Sequence, residues 1–154
     1  MIAAFDVDYK QGEAHSACII FKDWEDDIPY KTYELTTTEI AAYEPGAFYK
    51  RELPCLVSLI NLITEKITVY IVDGYVFLGD KKGLGYYLHK FYEEKIPVIG
   101  VAKTRFYKNN QCIEILRGES KNPLFISSIG VDLNKAAESV KKMHGAFRIP
   151  TLLK

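Results

Sequence analysis

Two short runs in this chain leave few choices of fold. Ile67-Thr-Val-Tyr-Ile-Val72 and Pro97-Val-Ile-Gly-Val101 are too short for core helices, rich in β-branched residues, and apolar on both faces, so each reads as a strand covered on both sides. The first ends at Asp73-Gly74 and the second at Ala102-Lys103. Between them Leu84, Tyr87, Leu88 and Phe91 recur at helical spacing, which predicts an amphipathic helix. Strand, helix, strand in that order predicts a right-handed crossover.

The flanking sequence supplies the rest of an α/β domain. Ile2–Tyr9 and His15–Phe21 read as strands joined by a hairpin at Gln11-Gly12, and a third strand is expected over Tyr30–Leu35. Thr36 and Glu39 have capping-box spacing and predict a short helix. A Pro/Gly loop follows, Tyr43–Phe48, and then Leu53, Leu56, Val57, Ile60 and Ile63 predict a helix with Pro54 in its first turn. Short strands are expected near Cys112–Leu116 and Leu124–Ser128, and a last helix carries Leu133, Ala136, Ala137, Val140 and Met143 on one stripe. No linker divides residues 1–154, which are expected to form one domain. By analogy, this element order is that of a ribonuclease H-like mixed β-sheet flanked by helices.

Composition narrows the function classes. With 48% hydrophobic and 26% charged residues, the 154-residue chain is globular in character, not fibrous or disordered. Its apolar runs fall far short of the roughly 20 residues a membrane-spanning helix needs, and Asp6 and Asp8 interrupt any signal-peptide core, so a soluble cytoplasmic protein is expected. Cys18, Cys55 and Cys112 make no metal-ligand spacing and read as reduced core residues; His15, His89 and His144 are equally scattered, so zinc has no support. The formal net charge is zero, so any nucleic-acid surface must be a local basic rim.

Chemistry, if present, rests on acids at element ends. Asp6 and Asp8 stand two apart on the first strand and share a face, Glu52 opens the first long helix, and Asp73 ends the central strand. Hard divalent cations take oxygen ligands, so such carboxylates outline a phosphodiesterase site. Each also has a plain structural reading. Glu52 suits a helix N-terminus, Asp73-Gly74 suits a turn, and Asp132 suits the N-cap of the last helix.

Three segments carry a resemblance that favours the chemical reading. Phe5-Asp6-Val7-Asp8-Tyr9, then Tyr43-Glu-Pro45-Gly46-Ala-Phe-Tyr-Lys-Arg51-Glu52-Leu-Pro54, then Ile71-Val72-Asp73-Gly74 with Gly100-Val-Ala-Lys103, resemble the signature segments of endonuclease V. Gly145-Ala-Phe-Arg148-Ile-Pro150 is a weaker echo of the family's Gly-x-Arg-x-Pro ending. The resemblance covers nearly the whole chain, without the family's usual N-terminal extension and tail. It implies a DNA-repair type of endonuclease dependent on Mg²⁺ or Mn²⁺ and acting on DNA or RNA near a deaminated base such as inosine.

Carried over by position, Asp6, Glu52 and Asp73 are implied metal ligands and catalytic residues, with Asp132 either completing the set or merely capping its helix. Tyr43, Pro45 and Gly46 fall in the implied wedge loop, and Lys81, Lys82 and Lys103 would meet phosphate, with Lys50, Arg51 and Arg105 on the same rim. The chain departs from the family after Asp73-Gly74, where a His-Pro-Arg stretch is replaced by Tyr75-Val-Phe-Leu-Gly-Asp80-Lys81-Lys82. Asp80 either replaces that histidine or sits in a solvated turn, and the flanking Gly79 and Gly83 favour the turn. Two further readings remain open at this level: a catalytically altered nucleic-acid-binding relative, and another ribonuclease H-like nuclease.

Overall fold

A computed structural model describes residues 1–38, 49–106 and 111–154. Strands β1 (Ile2–Lys10), β2 (Glu13–Phe21) and β3 (Lys31–Thr37) form an antiparallel meander. Gln11 and Gly12, with φ of 52° and 77°, make the two-residue turn between β1 and β2, the turn type whose twist matches the strands it joins. Helix α1 (Tyr49–Ile60) then leads to β4 (Val69–Asp73), which lies parallel to β1. A small hairpin, β5 (Phe77–Leu78) with β6 (Lys81–Lys82), precedes α2 (Leu84–Phe91) and β7 (Val98–Ala102), and β7 is parallel to β4. The chain finishes with β8 (Ile113–Ile115), β9 (Leu124–Ile129), α3 (Leu133–Lys141) and a short 3₁₀ turn at Thr151–Leu153. Among the described residues the main sheet has seven strands in the order β3-β2-β1-β4-β7-β9-β8.

Burial explains why the central strands were legible. Every residue of β7 is buried, as are Tyr70, Ile71 and Val72 of β4, because apolar clusters lie on both sides of the sheet. Ala3, Phe5, Tyr70, Val72 and Val98 join Leu56 and Leu59 of α1 and Leu84 and Leu88 of α2 on one face. Ile2, Ala4, Ile71, Ile99 and Val101 join Ala136, Ala137 and Val140 of α3 on the other. Since strand side chains alternate, Asp6 and Asp73 follow Ala4 and Ile71 onto the α3 side, at the point where both strands run out of core.

Several expectations are corrected. Thr36 caps no helix: it lies in β3 opposite His15, whose Nδ1 is 3.3 Å from the Thr36 hydroxyl, and Glu39 is outside the described residues. Among the described residues helix α1 already runs from Tyr49, ahead of Glu52, which was expected to open it, so Pro54 is at least its sixth residue. There the proline forgoes an internal hydrogen bond, and burial of Cys55, Leu56 and Leu59 holds the helix instead. In α2 Phe91 is 55% exposed, and His89 takes its place among the buried residues.

The C-terminal segment is fastened by two arginines. Arg117, only 3% exposed, donates to the backbone carbonyls of Lys141, Met143, Gly145, Phe147 and Arg148. Burial lowers its pKa, and those carbonyls supply the polar contacts that water no longer can. Arg148 donates to the carbonyls of Pro123 and Lys103.

Candidate active site

The pairing of β1 with β4 sets Ala4 opposite Ile71, and two residues further along each strand come Asp6 and Asp73. Neighbouring strands lie about 5 Å apart, so both acids emerge side by side at one edge of the sheet. Asp73 also stands opposite Val101 of β7, with Lys103 two residues beyond on the same face. The backbone leaving Asp73 is fixed closely. Gly74 has φ +109° and donates its N–H to the Val101 carbonyl at 3.0 Å, and the Val76 N–H donates to the Ser127 hydroxyl at 2.9 Å. A Cβ on Gly100 would lie 2.6 Å from the Gly74 carbonyl oxygen, so only glycine lets this turn pack against β7.

Glu52 arrives from the other side of the sheet, in the first turn of α1. Its carboxyl is pushed from 4.5 up to about 7, first by burial, then by the charges of Asp73 and Asp6, with Arg51 opposing. Asp73 is open to solvent on one side and crowded on the other. Burial raises its pKa most, Lys103 lowers it and Asp6 raises it. The charges of Asp73 and Asp6 thus reach Glu52, that of Asp6 reaches Asp73, and Lys103 is the cation facing Asp73. Next to them the Arg51 guanidinium lies 3.7 Å from the centre of the Tyr9 ring, and burial with the Glu52 charge drives the Tyr9 hydroxyl far above its ordinary pKa. Asp8 stands apart, paired with Lys10 at 3.1 Å.

On the α3 side a cleft of about 330 Å³ opens at Asp6, Asp73 and Lys103. Its walls are Ala4, Ile19, Ile71 and Val101 of the sheet and Ile149, Pro150, Leu152 and Leu153 of the C-terminal segment. The Tyr75 hydroxyl donates to the Thr104 carbonyl at 2.7 Å and Arg148 to the carbonyl of Lys103, so the chain is tied down at Lys103 and just after it.

Other residues expected at the site stand elsewhere or remain open. Asp132 is a helix cap: its carboxylate accepts the Lys135 N–H at 3.1 Å. It follows Ile129, which is opposite Val98 at the start of β7, whereas Asp73 is level with Val101 near its end, so Asp132 lies toward the opposite edge of the sheet. Asp80 is exposed at the tip of the β5–β6 hairpin beside Gly79, whose φ is +66°, the solvated turn that the flanking glycines favoured. Lys81 and Lys82 are exposed on β6, and Lys103 is exposed at the cleft. Tyr43, Pro45 and Gly46 lie outside the described residues. Neither the Arg51–Tyr9 stack nor the hold of Arg148 on Lys103 was foreseen; the only advance signal was Arg148 in the Gly-x-Arg-x-Pro echo.

The donor set suits a hard cation. Three carboxylates that repel one another at neutral pH are relieved by a divalent ion, and Mg²⁺ needs only one or two of them with waters and phosphate oxygens. Among the described residues, however, no three His, Cys, Asp or Glu side chains are gathered tightly enough to hold a metal as they stand.

A mixed sheet with one acid ending β4 and another on β1 just past its pairing with β4 has the ribonuclease H-like α/β fold. The family model described as Endonuclease V matches residues 1–154, and the chain belongs to that family of endonucleases, which are phosphodiester hydrolases. Solved structures agree in fold. The Ciona intestinalis Endonuclease V, in complex with a 24mer DNA containing an inosine followed by a ribo-adenosine, superposes with a TM-score of 0.75 at 17% identity, over 97% of this chain and 79% of that one. The Streptomyces avermitilis Endonuclease V gives 0.75 at 20% identity, over 97% and 74%. Human ENDOV gives 0.70 at 21% identity, over 97% and 78%. No described helix is long and apolar enough to cross a membrane.

Proposed function

We propose that this endonuclease depends on Mg²⁺ or Mn²⁺ held by Asp6, Glu52 and Asp73, and that it nicks DNA or RNA near a deaminated base, with inosine as the type. The observation that carries the reading is the strand register that sets Asp6 beside Asp73, with Glu52 of α1 near enough that their charges add to burial in raising its carboxyl to about 7. A bound divalent ion would supply activation of a water and stabilisation of the leaving oxygen. Lys103, whose charge reaches Asp73, would hold the phosphate of the cut strand, and Lys81 and Lys82 would hold its neighbours. Arg51 is occupied by the Tyr9 ring and serves to orient the start of α1 around Glu52.

A deaminated base pairs weakly and costs less to turn out of the stack than a matched one. Tyr43, with Pro45 and Gly46, is assigned to the loop that fills the resulting gap. Asp132 is not included among the ligands, because its carboxylate is committed to the α3 backbone.

The test is a nicking assay on matched inosine-containing and unmodified strands, of DNA and of RNA, with Mg²⁺ and then with chelator. Cleavage should require the ion and the inosine, and Asp73→Asn should abolish it while leaving binding largely intact. Full Mg²⁺-dependent cleavage by Asp73→Asn would remove that residue from the site, and equal cutting of the unmodified strand would remove inosine as the target.

A further inference from the structure

One surface near the site is more aromatic and more basic than packing requires. Tyr49, the first residue of α1, stacks on Tyr87 of α2 with ring centres 3.7 Å apart and planes 14° from parallel. Tyr86 meets Tyr87 edge-on at 5.4 Å and lies 5.8 Å from Phe77 of β5. The Lys82 ammonium stands 4.6 Å over the Tyr86 ring, and Lys90, which is also paired with Glu94, stands 5.7 Å from it. The charge of Lys50 reaches the Tyr87 hydroxyl.

Core packing does not account for the group. Tyr49, Tyr86 and Phe77 touch the apolar cluster under α1 and α2, but among the described residues Tyr87 joins none of the core clusters and is half-buried, with Tyr49 and Tyr86 against its ring. The position is equally informative. Tyr49 is three residues from Glu52, hence on nearly the same face of α1, and Lys82 belongs to the hairpin that follows the Asp73 strand end. Through Tyr49 the aromatic group adjoins the turn of α1 that carries Glu52.

We propose that Tyr49, Tyr86 and Tyr87, flanked by Lys50 and Lys82, form a stacking surface for unpaired bases of the nucleic-acid strand that runs into the site. The proposal rests on the nuclease reading above and adds that the enzyme holds a single-stranded segment beside the cut. Aromatic rings with lysines beside them suit this ligand, since every base offers a π-face to stack while the backbone offers phosphates to the ammonium groups.

Binding measured by fluorescence anisotropy in chelator, where nothing is cut, tests it with four probes. These are a short unmodified DNA strand, the same strand in RNA, its duplex, and an abasic strand that keeps the phosphates. Wild type should bind both base-bearing strands at least roughly tenfold more tightly than the abasic strand, about the effect of one stacked base. Tyr87→Leu should remove most of that difference, leave duplex affinity unchanged and keep the melting temperature, while Tyr87→Phe retains the difference.

Equal wild-type affinity for abasic and base-bearing strands overturns the proposal without need of any variant. So does a Tyr87→Leu protein that keeps the full difference. Asp73→Asn separates the two readings: in chelator it should bind all probes like wild type, and if it still cuts once Mg²⁺ is restored, the metal-site assignment fails while the stacking result stands.

Discussion

A carboxylate in the first turn of a helix is ordinarily easy to ionise, because the helix dipole favours negative charge there by about 0.3–1 kcal/mol. Glu52 occupies that position and behaves the opposite way, its carboxyl raised from 4.5 to about 7. Burial and the two facing acids outweigh the dipole, which is reasonable when a charged group loses water and gains like charges together. The consequence for stability has a definite sign. In the folded protein Glu52 keeps its proton up to about pH 7, whereas in the unfolded chain it loses it near 4.5, so the folded state loses stability as pH rises through that window. At roughly 1.4 kcal/mol per pH unit the loss is at most about 3 kcal/mol, and Asp73, also raised, adds to it in the same direction. Metal-free Glu52→Gln should therefore match wild type near pH 4 and melt at a higher temperature at pH 8. Thermal melts across that range check the expectation; a Gln variant no more stable than wild type at pH 8 would mean that Glu52 does not face the other two acids.

Elements were legible where burial is two-sided and hard to read where it is not. β4 and β7 were evident because every face of them is covered, and α3 because its apolar stripe is regular. The start of α1 was not evident, since Tyr49, Lys50 and Arg51 carry no apolar period and Pro54 invited a later beginning. The β5–β6 hairpin, two residues on each side, is too short to show any period. Asp132 shows the same limit at a helix end. An acid before an apolar stripe fits a cap and a metal ligand alike, and only the register of β9 against β7 puts it on the far edge of the sheet. As a cap whose carboxylate accepts the Lys135 N–H, it should be worth about 1 kcal/mol to the fold. Asp132→Ala should lose that amount in urea denaturation and cleave inosine substrate at the wild-type rate. A loss of cleavage with stability intact would return Asp132 to the chemistry.

At the scale of the molecule the site is a long-range product of the sheet. Asp73 was legible because it ends an apolar strand and Asp6 because it interrupts one, but their adjacency depends on β4 inserting beside β1, and the approach of Glu52 depends on α1 crossing the other face. No local pattern encodes the hold that Arg117 and Arg148 exert on the C-terminal segment lining the cleft. The zero net charge hid a local division, with Lys103 facing the acids Asp6 and Asp73 at the cleft and Lys81 and Lys82 exposed on the hairpin that follows β4. Gathering acids in this way costs folding energy that a bound cation would return. An ion that binds only the folded state stabilises it by about 2.7 kcal/mol at a hundredfold excess over its Kd. The carboxyls must also be deprotonated to bind, so with Glu52 titrating near 7 the gain should be larger at pH 8 than at pH 5.5. Mg²⁺ added to chelator-treated protein should accordingly raise the melting temperature more at the higher pH. Asp73→Asn should blunt the rise, and Asp132→Ala, though less stable, should show all of it. Melting that is indifferent to Mg²⁺ at both pH values would mean that Asp6, Glu52 and Asp73 do not form a metal site.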